Sequence, residues 1–557
     1  MDITVEEAAR RLSISVATVK RRLQQGQLAG HKLGRQWVVD GSKLPAPPRH
    51  AGGATAASLS KIDPTRALKH LRGVDLNELW VPDVLRWADH LADPGPVLAE
   101  ATERATTGRC EAAAELEVPK TSMLTRPVVL LALEDRVAYQ SVVGALMPLI
   151  EAKLSARIFS SRMSSDGAYL FKKSTQQWVR WHRRVRKEVK RGCPWLARTD
   201  LTAYFESIDH AILLSELTSA GAASPLVSSL RKFLDVWSRT RGRGLPQGPN
   251  ASRALGNFYL AAVDAVMLDR GYNYWRYMDD VMIVGKSKAE VLAGMRLFEQ
   301  QCRRRGLIIS AAKTDLYSGG AAIDAGTPPD RDDAQYLLDS RQDRRARQAL
   351  RTILKESLGT DGKVDVGGAT FSLWRLAQLV DKPPLRRVLS HLDDLGPIAR
   401  VGAAYLRVFL SAPEVERAIS DYLLNADRNI SIVTESWLLA CILEFPGALP
   451  LKWIDHARTI AQDRNGANFL RAIAVNVLLL GHLTKDVDWV KAELRREYDP
   501  EMLRAYLVAL ARIGRLDKGL AGAVRARMPI LGVTLDYLVN RQVLPSLVWR
   551  GQDVKVR

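Results

Sequence analysis

Two adjacent carboxylates, Asp279 and Asp280, sit between Asn273-Tyr274-Trp275-Arg276 and the apolar run Val281-Met282-Ile283-Val284. Two strand-like segments around so short a break read as a β-hairpin with the acids at its turn. About eighty residues upstream, Asp200 follows Trp195-Leu196-Ala197 and precedes Tyr204-Phe205. A carboxylate ending one strand and a pair on a hairpin converge when the strands are neighbours in one sheet. Three carboxylates in one place repel each other, and divalent cations offset that charge. Mg²⁺ favours such hard oxygen ligands, and Mn²⁺ is the alternative. Two such ions suit phosphoryl chemistry: one activates an attacking hydroxyl, the other stabilises the leaving oxygen.

Residues between and after the acids fit the same chemistry. Gly244-Leu245-Pro246-Gln247-Gly248 is a stiff turn that places Gln247 at the entrance of the helical run LGNFYLAAVD. After the short apolar strand of GLIIS, Lys313 can reach phosphate oxygens as a point charge. The segment STQQWVRWHRRVRKEVKRG carries Arg180, Arg183, Arg184, Arg186, Lys187 and Lys190 beside Trp178 and Trp181. Cations for phosphates and aromatic rings for bases are the equipment of a nucleic-acid track. The charge agrees: of a net +20, residues 151–315 hold +13. A basic block marks a polyanion partner.

The elements that must position these residues can be read from the rest of the chain. Its 557 residues, 47% hydrophobic and 25% charged, imply several globular domains rather than disorder. No apolar run approaches a membrane span, and no secretory signal opens the chain. Four scattered cysteines form no CxxC pair. These features point to the cytoplasm and no membrane partner. Residues 1–45 read as a small winged helix-turn-helix. Thr4 and Glu7 form a capping box for a first helix, and a second helix carries Lys20, Arg21 and Arg22. A hairpin around Leu33-Gly34-Arg35, with Lys32, makes the wing. Residues 46–60, PAPPRHAGGATAASL, read as a linker. Strands alternate with helices from about 120 to 335. The chain is then almost wholly helical to 548, in the pattern of paired helices stacked as a HEAT-like α-solenoid.

Residues 1–45 resemble the excisionase-like helix-turn-helix family, in which Lys20, Arg21, Arg22, Lys32 and Arg35 would contact DNA. The order of motifs across about residues 118–320 resembles reverse transcriptases. Asp200-Leu201-Thr202-Ala203-Tyr204-Phe205 is similar to their motif A, and Leu245-Pro246-Gln247-Gly248 to motif B. Tyr277-Met278-Asp279-Asp280 is similar to motif C, and Gly306 onward to Lys313 to motif D. The resemblance implies an α+β right-hand polymerase. Its fingers and palm would span 61–335, a helical thumb 336–400 and a helical repeat domain 401–557. It implies an RNA-directed DNA polymerase using two metal ions, an RNA template, dNTPs and a DNA product. Asp200, Asp279, Asp280 and the Leu201 carbonyl would hold the ions. Phe205 would be a steric gate against the ribose 2′-hydroxyl. Lys120 and Arg126 would hold the triphosphate from the fingers, with Gln247 and Lys313 also at the nucleotide. One departure is Arg253, where intron-type enzymes carry proline. A long helical C-terminus without an RNase H segment resembles the defence-associated, abortive-infection reverse transcriptases of prokaryotes. This implies antiphage synthesis on a dedicated non-coding RNA or without a template, and a homo-oligomer is compatible with such helical surfaces. The alternatives are an intron-type retroelement enzyme or maturase, and a DNA-binding regulator with a degenerate polymerase body.

Overall fold

The computed structural model describes residues 62–540 except 78, 122, 166, 168, 328–330 and 360–363, together with 544–548. Before residue 62 it describes positions 2–5, 8, 19, 23, 28–33 and 36–40. The chain forms two compact units, residues 1–60 and 61–557.

In the first unit, β1 (Asp2–Thr4), β2 (Gly30–Leu33) and β3 (Gln36–Asp40) form an antiparallel sheet of order β1-β3-β2. Thr4 ends β1, and Val5 directly after it is helical, so Thr4 stands where a helix cap would; Glu7 lies outside the described residues. Ile3 pairs with Val39. The β2–β3 hairpin sits where the wing is expected, with Lys32 opposite Trp37. Val5, Ala8, Val19, Leu23 and Val39 are buried together. Lys20, Arg21, Arg22 and Arg35 lie outside the described residues, as does the 46–60 linker.

The second unit begins with helical segments and a hairpin of β4 (Ala114–Pro119) and β5 (Thr125–Leu130). Its central sheet is antiparallel. It contains β6 (Trp195–Thr199), β8 (Asn273–Tyr277), β9 (Asp280–Gly285) and β11 (Asp315–Ser318), in the order β11-β6-β9-β8. Two short strands, β7 (Leu201–Thr202) and β10 (Ile308–Ile309), pair with each other just beyond β6. Side chains on a strand alternate between faces. Val281 and Ile283 of β9 join the core shared with the Asn250–Asp269 and Lys288–Arg303 helices. Met282 and Val284 point the other way, with Leu196 and Trp275, onto Trp181, Val185 and Val189 of the Ser174–Lys190 helix. That helix therefore buries a stripe of spacing three to four and turns its cations outward.

From Asp332 onward every element among the described residues is helical. Alternate helices contact one another in a row: Val366–Gln378, Ala399–Arg407, Ile432–Ile442, Asn468–Leu479 and Pro500–Arg512. One apolar core runs from Ala334 to Val548 and takes in Val84, Leu85, Leu116, Val118 and Val128 from the other end of the unit. Residue 400 lies inside a helix, with no break in that core.

Polar ties reinforce this contact between chain ends. Arg504 donates to both oxygens of Asp89 at 2.7 and 2.8 Å and to both oxygens of Asp83 at 2.5 and 3.0 Å. Asp89 is fully buried. Burial alone would raise its pKa, but the Arg504 guanidinium overrides this and holds it well below the usual carboxylate range. The Trp437 indole donates to the Trp80 carbonyl at 2.8 Å. No helix among the described residues is long and apolar enough to cross a membrane.

Candidate active site

Register brings the acids together. Thr199 of β6 lies opposite Val281 of β9. Antiparallel pairing then puts the residue after Thr199 and the residue before Val281 at the same end of the sheet. These are Asp200 and Asp280, and Asp279 occupies the turn beside them. Tyr277 pairs with Asp280, so the hairpin turn is Met278-Asp279, with Met278 at φ 56°. A left-handed methionine is strained, and it needs surroundings that hold it.

Arg276 supplies that hold. It is fully buried, and its Nη1 donates to the Met278 carbonyl at 2.7 Å and to Asn257 Oδ1 at 2.8 Å. Its Nε and Nη2 grip the Asp264 carboxylate at 2.8 and 2.5 Å. Asn257 and Asp264 belong to the Asn250–Asp269 helix, so one guanidinium bolts the turn to that helix. Sequence reasoning missed Arg276. The available signal was a charged residue inside an aromatic strand, where only a buried partner makes it tolerable.

The acids influence one another. Asp279 is pushed up to about 7, chiefly by burial and then by the charges of Asp200 and Asp280. Burial also raises Asp280, opposed by Arg198. Each outer acid meets a cation: Lys313 pairs with Asp200, and Arg198 Nη2 lies 3.5 Å from Asp280 Oδ1. The three carboxylates are neighbours, but they do not close into a ready cage. Among the described residues no group of three His, Cys, Asp or Glu side chains is set to hold a metal ion as it stands. The residue types fit a hard divalent cation, whose charge would offset the crowding that raises Asp279. Leu201, next to Asp200, is buried in β7.

Phe205 lies in the short Tyr204–Ser207 helix that follows β7. Its carbonyl accepts from Leu245 N at 2.9 Å, joining it to the Pro246-Gln247-Gly248 turn. A Cβ at Gly256 would lie 3.4 Å from the Phe205 ring and 3.6 Å from Met278 Sδ, so the ring and the acidic turn meet there. Phe205, Gln247 and Arg126 line one cavity of about 370 Å³. Gln247 Nε2 lies 3.4 Å from Glu206 Oε1. Arg126, on β5, has its pKa lowered by burial, with Asp279 opposing. Gly248 has φ 126°, and a Cβ there would come 2.9 Å from Trp80 Nε1; both facts require glycine. Lys120 stands apart from this cavity, exposed at the tip of the β4–β5 hairpin.

On the Ser174–Lys190 helix, Arg180, Arg183, Arg184, Lys187 and Lys190 are exposed and Arg186 is half-buried. Trp178 is half-buried, its ring 3.9 Å from that of His182. Trp181 corrects the sequence expectation. It is fully buried with its ring 5.8 Å from that of Tyr277, because the apolar stripe seats it on the sheet. It is a core residue and offers no surface to a base.

Residues 118–347 match the reverse transcriptase (RNA-dependent DNA polymerase) family, and residues 3–44 match a helix-turn-helix domain. No curated protein matches the chain. Among solved structures, apo telomerase from Candida tropicalis truncated from the C-terminal domain is similar over 38% of this chain and 50% of its own, at 11% identity and TM-score 0.28. A partial Cas6-RT-Cas1–Cas2 complex is similar over 52% of this chain and 51% of its own, at 19% identity and TM-score 0.26. Apo telomerase from Candida tropicalis is similar over 79% of this chain and 70% of its own, at 10% identity and TM-score 0.32. The chain spans about half the length of the first two.

Proposed function

From the premise that residues 118–347 are a reverse transcriptase domain, we propose that the protein is an RNA-directed DNA polymerase with its chemistry at Asp200, Asp279 and Asp280. The observation that carries this is the arrival of all three acids at one end of the sheet, against the Phe205–Gln247–Arg126 cavity. Asp200, Asp279, Asp280 and the Leu201 carbonyl would hold two Mg²⁺ ions, or Mn²⁺. The bound ions would supply charge neutralisation at the attacking hydroxyl and the leaving pyrophosphate.

The chain's own groups do the rest. Phe205 stands beside the acidic turn, where a ring excludes a ribose 2′-hydroxyl. Gln247 sits at the mouth of the helix that follows its turn, within reach of a base edge or sugar. Arg126 presents a planar, two-pronged donor to phosphate. Lys313, tied to Asp200 in the free protein, is positioned to exchange that partner for a phosphate. The exposed cations of the Ser174–Lys190 helix form the track for template and primer.

The wider setting follows from architecture. The stacked helices after residue 332 read as an α-solenoid, and the N-terminal unit as a winged helix-turn-helix that engages DNA. A helical body in this position supports a role in prokaryotic antiphage defence, on a dedicated non-coding RNA or without a template. Asp279→Ala tests the core of the reading by primer extension with dNTPs on an RNA template. Extension should vanish while the melting temperature is kept. Persistent extension would sink the polymerase assignment.

A further inference from the structure

The cavity beside Phe205 has a second wall that the polymerase reading does not require. Its near side is Arg126, Gln247 and the start of the Asn250–Asp269 helix, including Arg253. Its far side is the helical body: Trp374, Arg400 and Trp437. Trp80, from the segment held by Trp437, completes the rim. Three guanidiniums and three indoles therefore surround a space of about 370 Å³, within the range of small-ligand sites.

The groups are arranged in pairs. The Arg126 guanidinium carbon lies 5.9 Å from the Trp80 ring centre, and that of Arg400 lies 5.5 Å from the Trp437 ring centre. Arg400 Nη1 also donates to the Leu76 carbonyl at 3.5 Å. The Trp80 indole N–H is buried and has no acceptor among the described residues. An unsatisfied buried donor costs free energy unless a ligand or water takes it. Like charges lining one cavity repel, and an anion relieves them. Flat rings beside an anion site suit a nucleobase.

We propose that this cavity binds one nucleotide unit jointly between the polymerase domain and the helical body, with Arg400 and Arg253 on phosphate and the indoles on the base. The proposal rests on the polymerase reading and deepens it: the helical body is part of the nucleotide site. The unit comes either from a free nucleoside triphosphate or from a bound strand, and the two sources share this chemistry.

The test uses the full-length protein and two probes, dATP with Mg²⁺ and a single-stranded oligonucleotide, with affinity read from tryptophan fluorescence. Arg400→Gln should weaken at least one probe about tenfold, and Arg400→Lys should recover part of that loss. Arg417→Gln, an exposed change on the same body, should do nothing. Loss for dATP identifies the triphosphate as the occupant; loss for the oligonucleotide alone identifies a strand nucleotide; both uphold the proposal. If Arg400→Gln does not fold, Arg253→Gln serves in its place. Unchanged affinity for both probes in a folded variant overturns the proposal and leaves Asp279-dependent extension standing. Extension by Asp279→Ala would instead overturn the underlying reading.

Discussion

Arg276 carries the most demanding expectation. Its guanidinium is fully buried and makes two short bonds to Asp264, one to Asn257 Oδ1 and one to the Met278 carbonyl. Arg276→Met would leave Asp264, itself 3% exposed, with only the Tyr274 hydroxyl at 2.8 Å. Breaking a buried ion pair from one side costs about 3–5 kcal/mol. Arg276→Lys keeps the charge but loses the fork. At least one of Asn257 Oδ1 and the Met278 carbonyl then loses its donor, for about 1–3 kcal/mol. A functional cost should come in addition to the structural one. Freed from its bond, the left-handed Met278 relaxes and carries Asp279 with it. A misplacement of about 1 Å at reacting groups costs on the order of a hundredfold in rate. Urea unfolding gives the stability and single-turnover primer extension gives the rate. The double change Arg276→Met with Asp264→Asn should regain part of the lost stability but none of the activity. Full activity in a stable Arg276→Lys protein would refute the argument. So would a double variant no more stable than Arg276→Met alone.

Other expectations follow from the same geometry. Because Asp279 is raised to about 7, its ionisation destabilises the metal-free protein as pH climbs from about 4 to 7. Mg²⁺ should therefore raise the melting temperature more at pH 8 than at pH 6, and equal shifts would contradict this. Phe205→Ala should increase rNTP use relative to dNTP, read from competitive incorporation; unchanged sugar selectivity removes the gate. Reversing charge at Arg183, Arg184 and Lys187 should weaken nucleic-acid binding and flatten its salt dependence by about 2–3 units of slope. Trp181→Ala should cost about 3–5 kcal/mol of stability in urea unfolding, as a core truncation rather than a lost stacking contact.

What was legible in the sequence was what is local. The acids, the Pro246-Gln247-Gly248 turn and the β8–β9 hairpin are each encoded within a few residues, and alternation assigns their faces. Arg126 was reached only through the resemblance to polymerase fingers, since no local pattern around it marks a phosphate site. The Trp181 misreading was avoidable: Trp181, Val185 and Val189 repeat every four residues, which is a buried stripe. Thr4 ends a strand, and the helical Val5 follows it at once. The pairing of Lys313 with Asp200, the Arg276 network and the far wall of the cavity were not legible. Each depends on partners brought together by the sheet and the helical stack, and no local pattern encodes that meeting.

The Arg504 tie has a consequence for how the chain is made. Asp89 waits for a partner 415 residues later in the chain. At about 5–20 residues per second of synthesis, that interval is on the order of 20–80 s. Throughout it, Asp83 and Asp89 lack the guanidinium that ties them to the last helices, although Trp437 can already hold Trp80 and the cavity's far wall is already made. The polymerase sheet and both walls of the cavity can form while the chain is still being made, but the tie at Asp83 and Asp89 cannot. A chain truncated before residue 504 would thus carry every lining residue of the cavity yet leave the buried Asp89 without its cation.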